Sequence, residues 1–198
     1  MTGIMQNKLI RGKIEGNHMK KIPKIFAFII IAILLIFNIN NFSRIIYKMD
    51  YSEYVNKYSL EYNVDPFMIY AIIKAESNFN YNATSNRGAT GLMQLMDNTA
   101  KEVSTNETID YESGTTLYNP EENIKLGTKY YSDLRKQFKN DNIALAAYNA
   151  GSGNVQKWID EGVIKEDGTD IENIPFKETN TYVRKILKDY TIYRKLYT

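Results

Sequence analysis

Beyond residue 50, apolar positions recur at helical spacing and almost never alternate, so the pattern predicts helices and very few strands. Residues 51–62 read as an amphipathic helix. The turn Asn63-Val64-Asp65-Pro66 then provides an N-cap and a first helical residue for a second helix that ends at Glu76. Residues 80–91 are rich in Asn, Ser, Thr and Gly and predict a loop with room for a short hairpin. A helix is expected from about Met93 to Glu102, followed by a polar, irregular stretch over 104–118. Asn119-Pro120-Glu121-Glu122 opens a long helix with a cap, a proline and an acidic first turn. Ile124, Tyr131, Leu134 and Phe138 lie near one stripe of it. Residues 142–150 predict a short apolar helix stopped at Gly151, and Ser152 caps another that ends near Gly162. A polar loop over 164–176 leads to a final tyrosine-rich helix from Thr179 almost to Thr198. The expected fold class is all-α, one mostly helical globular domain over residues 49–198.

A different pattern occupies the N-terminus. Residues 25–43 carry no charge, and their centre, residues 26–37, is densely apolar. A run of about 20 such residues suffices to cross a bilayer, with Asn38, Asn40 and Asn41 at the far interface. Lys20, Lys21 and Lys24 precede it, Lys8, Arg11 and Lys13 lie further upstream, and only Arg44 and Lys48 follow closely. This asymmetry predicts a cytoplasmic N-terminus and a domain outside the cell membrane. No small-x-small cleavage site follows, so an uncleaved single-pass anchor over 19–45 is favoured over a signal peptide. A buried core helix would leave the flanking lysines unexplained. Met19-Lys20-Lys21 reads as the natural start, which makes residues 1–18 an upstream extension.

Composition narrows the chemistry. Net charge is +2, too small to suggest a nucleic-acid partner. There is no cysteine, and the one histidine, His18, lies outside the domain. Ser-His and Cys-His catalysis are thereby excluded, a histidine-ligated metal is disfavoured, and no cofactor is implied.

One charge breaks the helical pattern. Ile69, Ile72, Ile73 and Glu76 follow the i, i+3, i+4, i+7 spacing, so a carboxylate shares the aliphatic stripe. Desolvation there, and the negative end of the helix dipole, both raise its pKa towards the range useful to a general acid. On spacing alone a structural carboxylate at the margin of a buried face is the commoner case.

Three blocks change that balance. Glu76-Ser77-Asn78-Phe79 leads through Ala83-Thr84-Ser85 into Gly88-Ala89-Thr90-Gly91-Leu92-Met93-Gln94-Leu95-Met96 and Thr99-Ala100. Ala146-Ala147-Tyr148-Asn149-Ala150-Gly151-Ser152-Gly153 follows, then Ile174-Pro175-Phe176-Lys177-Glu178-Thr179 before Tyr182-Val183. In that order, and over residues 49 to the C-terminus, the chain resembles the lytic transglycosylase catalytic domain, a member of the lysozyme-like superfamily. Tyr81 and Asp97 stand where that family usually has proline. The first is a loop position, and the second can cap a helix start instead.

The resemblance implies cleavage of the β-1,4 bond between N-acetylmuramic acid and N-acetylglucosamine, with formation of a 1,6-anhydromuramoyl end. It implies Glu76 as the single acid and base. Ser85, Gln94, Met96, Tyr148, Asn149, Glu178 and Tyr182 carry over as groove residues. Three of them have a plainer reading: Tyr148 as a core tyrosine, Gln94 as an exposed helix residue, Glu178 as a first-turn charge. Tyr190, Tyr193 and Tyr197 read as packing, and Gly88 and Gly91 as backbone turns. The implied partners are peptidoglycan strands, the membrane through the N-terminal helix, and other wall or secretion machinery. Two alternatives stay open: a hydrolytic muramidase related to goose-type lysozymes, and a membrane-anchored wall-binding protein without activity.

Overall fold

The computed structural model describes residues 26, 28–31, 42–107 and 110–198. The chain divides into two units, 1–48 and 49–198. In the first, residues 28–31 and 42–46 are helical, and Phe42, Ile45 and Ile46 are exposed. Most of the expected anchor over 19–45, and all of the expected extension over 1–18, lie outside the described residues. Among the described residues no helix is long and apolar enough to cross a membrane.

The second unit contains seven α-helices: α1 (Ser52–Tyr62), α2 (Pro66–Glu76), α3 (Asp97–Glu107), α4 (Pro120–Phe138), α5 (Asp141–Ala150), α6 (Ser152–Asp160) and α7 (Lys177–Tyr197). Short 3-10 turns occupy Thr116–Tyr118 and Ile171–Asn173. Among the described residues there is no strand, only the isolated bridges Thr84–Thr90 and Thr90–Leu95. The domain is helical, as the apolar spacing predicts.

Helix α2 is the central element. Asp65 caps it by accepting the Phe67 N–H at 2.9 Å, and Pro66 occupies the first turn, where its missing N–H costs nothing. Met68 to Ile73 are all buried, so α2 is covered on nearly every side. Its most extensive partner is α7, and α1 also packs on it. Tyr70 stacks on Tyr193 of α7 with ring centroids 5.6 Å apart. Lys74 and Asp189, both largely buried, form an ion pair across the same interface at 3.2 Å. The pair joins α2 to α7 at a place where a buried charge is costly without a counter-charge. Helices α4 and α5 pack on each other, and α5 packs on α7.

Several boundaries differ from the sequence expectation. Helix α3 begins at Asp97, four residues later than expected, and runs to Glu107. Residues 93–96 are instead turn and bridge, with Gln94 at φ 48°. That left-handed conformation ends any continuous helix there. Asp97 accepts hydrogen bonds from the Tyr111 hydroxyl at 2.6 Å and the Ser113 hydroxyl at 2.7 Å. The carboxylate in the family's proline position thus ties the following irregular segment to the start of α3. Helix α7 begins at Lys177 rather than Thr179, and Gly151, not Ser152, is the N-cap of α6.

Candidate active site

The last residue of α2 is Glu76, at the point where the buried helix surfaces. The chain leaves in a turn whose residues Asn78 and Phe79 have φ of 49° and 67°. Ser77 holds this exit by donating to the Leu92 carbonyl at 2.8 Å, which ties the end of α2 to the loop 83–95. Burial of the carboxyl raises its pKa to about 7, partly offset by a hydrogen bond from Tyr182 and the charge of Lys185. Its place at the helix C-terminus acts in the same direction as burial.

Tyr182, on α7, donates its hydroxyl to Glu76 Oε1 at 2.6 Å. Burial and the nearby Glu76 charge push the Tyr182 phenol well above its ordinary pKa, so it stays a donor. Tyr148, on α5, is raised in the same way and for the same leading reason. Its hydroxyl donates to the Met93 carbonyl at 2.8 Å, and its ring packs 5.2 Å from that of Tyr130. Glu76 is thus flanked by two tyrosines from α5 and α7 that remain neutral whatever its own charge.

The loop between α2 and α3 lies beside this pair. Ser85 accepts the backbone N–H groups of Arg87 and Ala89 at 3.3 and 3.0 Å, closing the tip into a tight turn. Gln94 donates from Nε2 to the carbonyls of Ala83 and Gly91 at 3.0 and 2.9 Å. Its amide NH₂ therefore shapes the loop, which leaves the side-chain carbonyl as its remaining hydrogen-bonding group. Met93 and Leu95 are buried packing residues, while Met96 is 45% exposed at the surface. Asn149 accepts the Thr179 hydroxyl at 2.7 Å, joining α5 to the start of α7. Glu178 is exposed and lies 4.0 Å from Arg87, a solvated contact of little energetic weight. Ser85, Gln94, Tyr148, Asn149, Glu178 and Tyr182 all lie on these three segments. Direct hydrogen bonding to Glu76 is made by Tyr182.

One residue that the sequence pattern passes over organises the loop. Asn123, fully buried on α4, donates to the carbonyls of Thr90 and Leu117 at 3.0 and 2.9 Å and accepts the Met93 N–H at 2.8 Å. Gly91 lies against it at φ 81°, where a side-chain carbon would overlap Asn123 and the Leu117 carbonyl. Gly127, one turn along α4, leaves room for Met93 in the same way. The phase shared by Asn123, Gly127, Tyr130 and Leu134 is the available sequence signal, since an amide on such a stripe is buried only when fully bonded.

The raised pKa of Glu76 has a consequence for stability. A carboxyl that titrates near 7 when folded and near 4.5 when unfolded binds its proton more tightly in the folded state. Wild-type protein should therefore lose stability relative to Glu76→Gln as pH rises from 4.5 through 7, reaching about 3 kcal/mol above that range. Denaturant unfolding of both proteins at pH 5 and pH 8 measures the gap; a gap independent of pH would show an ordinary, solvated carboxylate. Among the described residues no group of His, Cys, Asp or Glu is placed to hold a metal ion.

A sequence model of the transglycosylase SLT domain matches residues 53–170. The soluble lytic murein transglycosylase of Salmonella typhimurium is 36% identical over 151 residues, covering 75% of this chain and 23% of that protein. The membrane-bound lytic murein transglycosylase C of Actinobacillus pleuropneumoniae is 33% identical over 120 residues, covering 56% of this chain and 33% of that one. Among solved structures, an inactive mutant of the Pseudomonas aeruginosa lytic transglycosylase Slt superposes with a TM-score of 0.70 at 38% identity, over 77% of this chain and 25% of that one. A 70-kDa soluble lytic transglycosylase complexed with bulgecin A gives 0.68 at 34% identity, over 75% and 25%. The chain spans about a quarter of the length of the soluble relatives it matches. With a family match over more than half its residues and a superposing fold, the chain belongs to the transglycosylase SLT domain family.

Proposed function

We propose that this protein is a peptidoglycan lytic transglycosylase in which Glu76 is the only proton-transferring group. The observation that carries the proposal is a half-buried carboxyl at the end of α2, hydrogen-bonded to Tyr182 and titrating at about 7. Near neutral pH a large share of it is protonated, as donation to the glycosidic oxygen requires. The bond from the muramic acid C1 to that oxygen breaks, and the proton leaves with the N-acetylglucosamine hydroxyl. Glu76, now a carboxylate, accepts the proton of the muramoyl C6 hydroxyl as its oxygen bonds to C1. The proton is returned and the product carries a 1,6-anhydro ring.

An inverting or retaining hydrolase normally needs a second carboxylate to activate water or to attack. The group hydrogen-bonded to Glu76 is instead the neutral Tyr182 phenol, in keeping with an internal nucleophile. In this reading Tyr182 positions the carboxyl. Tyr148, Gln94, Ser85, Met96, Asn149 and Glu178 form the walls that receive the sugars. Mass spectrometry of digested sacculi tests the reaction type: muropeptides one water lighter than the hydrolysis product are expected, and reducing muramic acid ends would establish a hydrolytic muramidase.

Tyr182→Phe gives a separate test. Its hydrogen bond favours the charged carboxylate, so its removal should raise the Glu76 pKa further. The alkaline limb of the pH–rate profile should then move to higher pH, with a lower maximum because the carboxyl is less well held. An unmoved limb would remove Tyr182 from this role. We further assign residues 19–45 to a membrane anchor with the catalytic domain outside. The lysine asymmetry supports this topology, and one relative is itself named as membrane-bound.

A further inference from the structure

On the solvent face of α7 the exposed cations outnumber the one exposed carboxylate, Glu178. Helical phase aligns Lys177, Arg184, Lys188 and Lys195 in a single row, all exposed, with Thr181 and Thr191 between them. At about 1.5 Å per residue the row is about 27 Å long. Lys185 and Arg194 flank it. The helix has two acidic residues: Asp189 is buried against Lys74, and Glu178 sits off the row in the first turn. None of the six cations lies within ion-pair distance of a carboxylate among the described residues. Arg184 instead meets the Asn180 side chain at 2.9 Å, Lys185 the Ala75 carbonyl at 3.4 Å, and Arg194 the ring of Tyr190.

Folding alone does not account for this row. Arg184 and Lys188 are like charges at i, i+4, an arrangement that weakens a helix, and a carboxylate at either position would have strengthened it. The chain as a whole is nearly balanced, with 25 basic and 23 acidic residues, so the excess on α7 is local. Some exposed charges elsewhere on the domain do pair, as in Lys57–Glu121 and Lys157–Glu161, but among the described residues none of the four in this row does.

We propose that this face of α7 is a docking track for a linear phosphodiester polymer of the kind attached to wall glycan. A row one side chain wide, with cations spaced about 6 to 10 Å apart, complements a chain of regularly spaced negative charges. A lipid surface fits less well. Membrane-binding helices insert an apolar face, whereas the apolar face of α7 is buried against α2 and α5, and the row itself carries only threonine between its cations. A base-bearing nucleic acid would find no aromatic platform on it. The helix that holds Tyr182 at Glu76 would thus also hold the substrate's anionic appendage. The inference borrows from the proposed function only the source of the polymer.

The test is binding of soluble poly(glycerol phosphate) to the full-length protein by titration calorimetry at two salt concentrations. The triple variant R184Q/K188Q/K195Q should bind about tenfold or more weakly, with a shallower salt dependence, and should still cleave polymer-free glycan at the wild-type rate. Lys188→Glu alone, at a side chain with no intramolecular ion pair, should weaken binding in the same direction without touching the fold. Equal affinity of wild type and both variants would overturn the proposal. So would tighter binding of wild type to phosphatidylglycerol vesicles or to DNA than to the polymer. Because the probe is not cleaved, these outcomes leave the assignment of Glu76 untouched, and loss of glycan cleavage cannot mimic them.

Discussion

Glu76→Gln is expected to reduce release of muropeptides from sacculi by about a thousandfold or more, since in the proposed mechanism it removes the proton donor and the base at once. Glutamine is nearly isosteric, and its carbonyl oxygen can still accept the Tyr182 hydroxyl now found 2.6 Å from Glu76 Oε1. The fold and the affinity for chitooligosaccharides should therefore be close to wild type. That combination separates loss of chemistry from loss of structure. A variant that is inactive because it is unfolded would lose sugar binding too, and one that still turns over at the wild-type rate would place the proton transfer on another residue. Greater stability above pH 7 is expected from the same substitution. The wild-type site holds its carboxyl where ionisation is costly, and that cost disappears with the charge.

Asn123→Ala should have the largest effect among residues distant from the reacting atoms. The side chain satisfies three backbone groups in a buried place: the Thr90 and Leu117 carbonyls and the Met93 N–H. Truncation leaves all three without their partner and opens a small void. A loss of about 3 kcal/mol is expected in denaturant unfolding, with two or more of these groups failing to recover a bond to water. Activity should fall as well, in the fraction that remains folded. The Met93 carbonyl receives the Tyr148 hydroxyl, and Gln94 and Met96 extend from the same loop. A stability change below about 0.5 kcal/mol would mean that the loop repairs itself and that Asn123 does not set its shape.

Much of this architecture was legible as periodicity. The caps at Asp65 and Asn119, each followed by proline, place the starts of α2 and α4 at the residues observed. Glu76 stood out because it occupied an apolar phase, and its partial burial follows from that. Residues 93–96 are not helical although Met93, Leu95 and Met96 are good helix formers. Tertiary bonds outweighed that preference: Asn123 takes the Met93 N–H, Leu95 exchanges backbone hydrogen bonds with Thr90, and Gln94 adopts a left-handed conformation. No local pattern encodes the Asn123 contact, which spans 30 residues.

The site residues divide along similar lines. Gln94 and Ser85 were expected to face the sugar, and they spend much of their hydrogen-bonding capacity on the loop itself. Asn149 likewise joins two helices through Thr179. Such residues hold the loop and the helices beside it in shape, and a motif does not distinguish that duty from sugar contact. The pairing of Tyr182 with Glu76, 106 positions apart in sequence, follows only from the packing of α7 on α2. Lys74 and Asp189, 115 positions apart, meet through the same packing.

The most direct test is carbon-detected NMR titration of the Glu76 side-chain carboxyl in the folded protein, with Glu76→Gln used to assign the signal. A midpoint near pH 7 is the expected result, with the neighbouring tyrosine hydroxyls unionised throughout the titration. A midpoint near 4.5, the value of a freely hydrated glutamate, would contradict a carboxyl poised to donate its proton to the glycan.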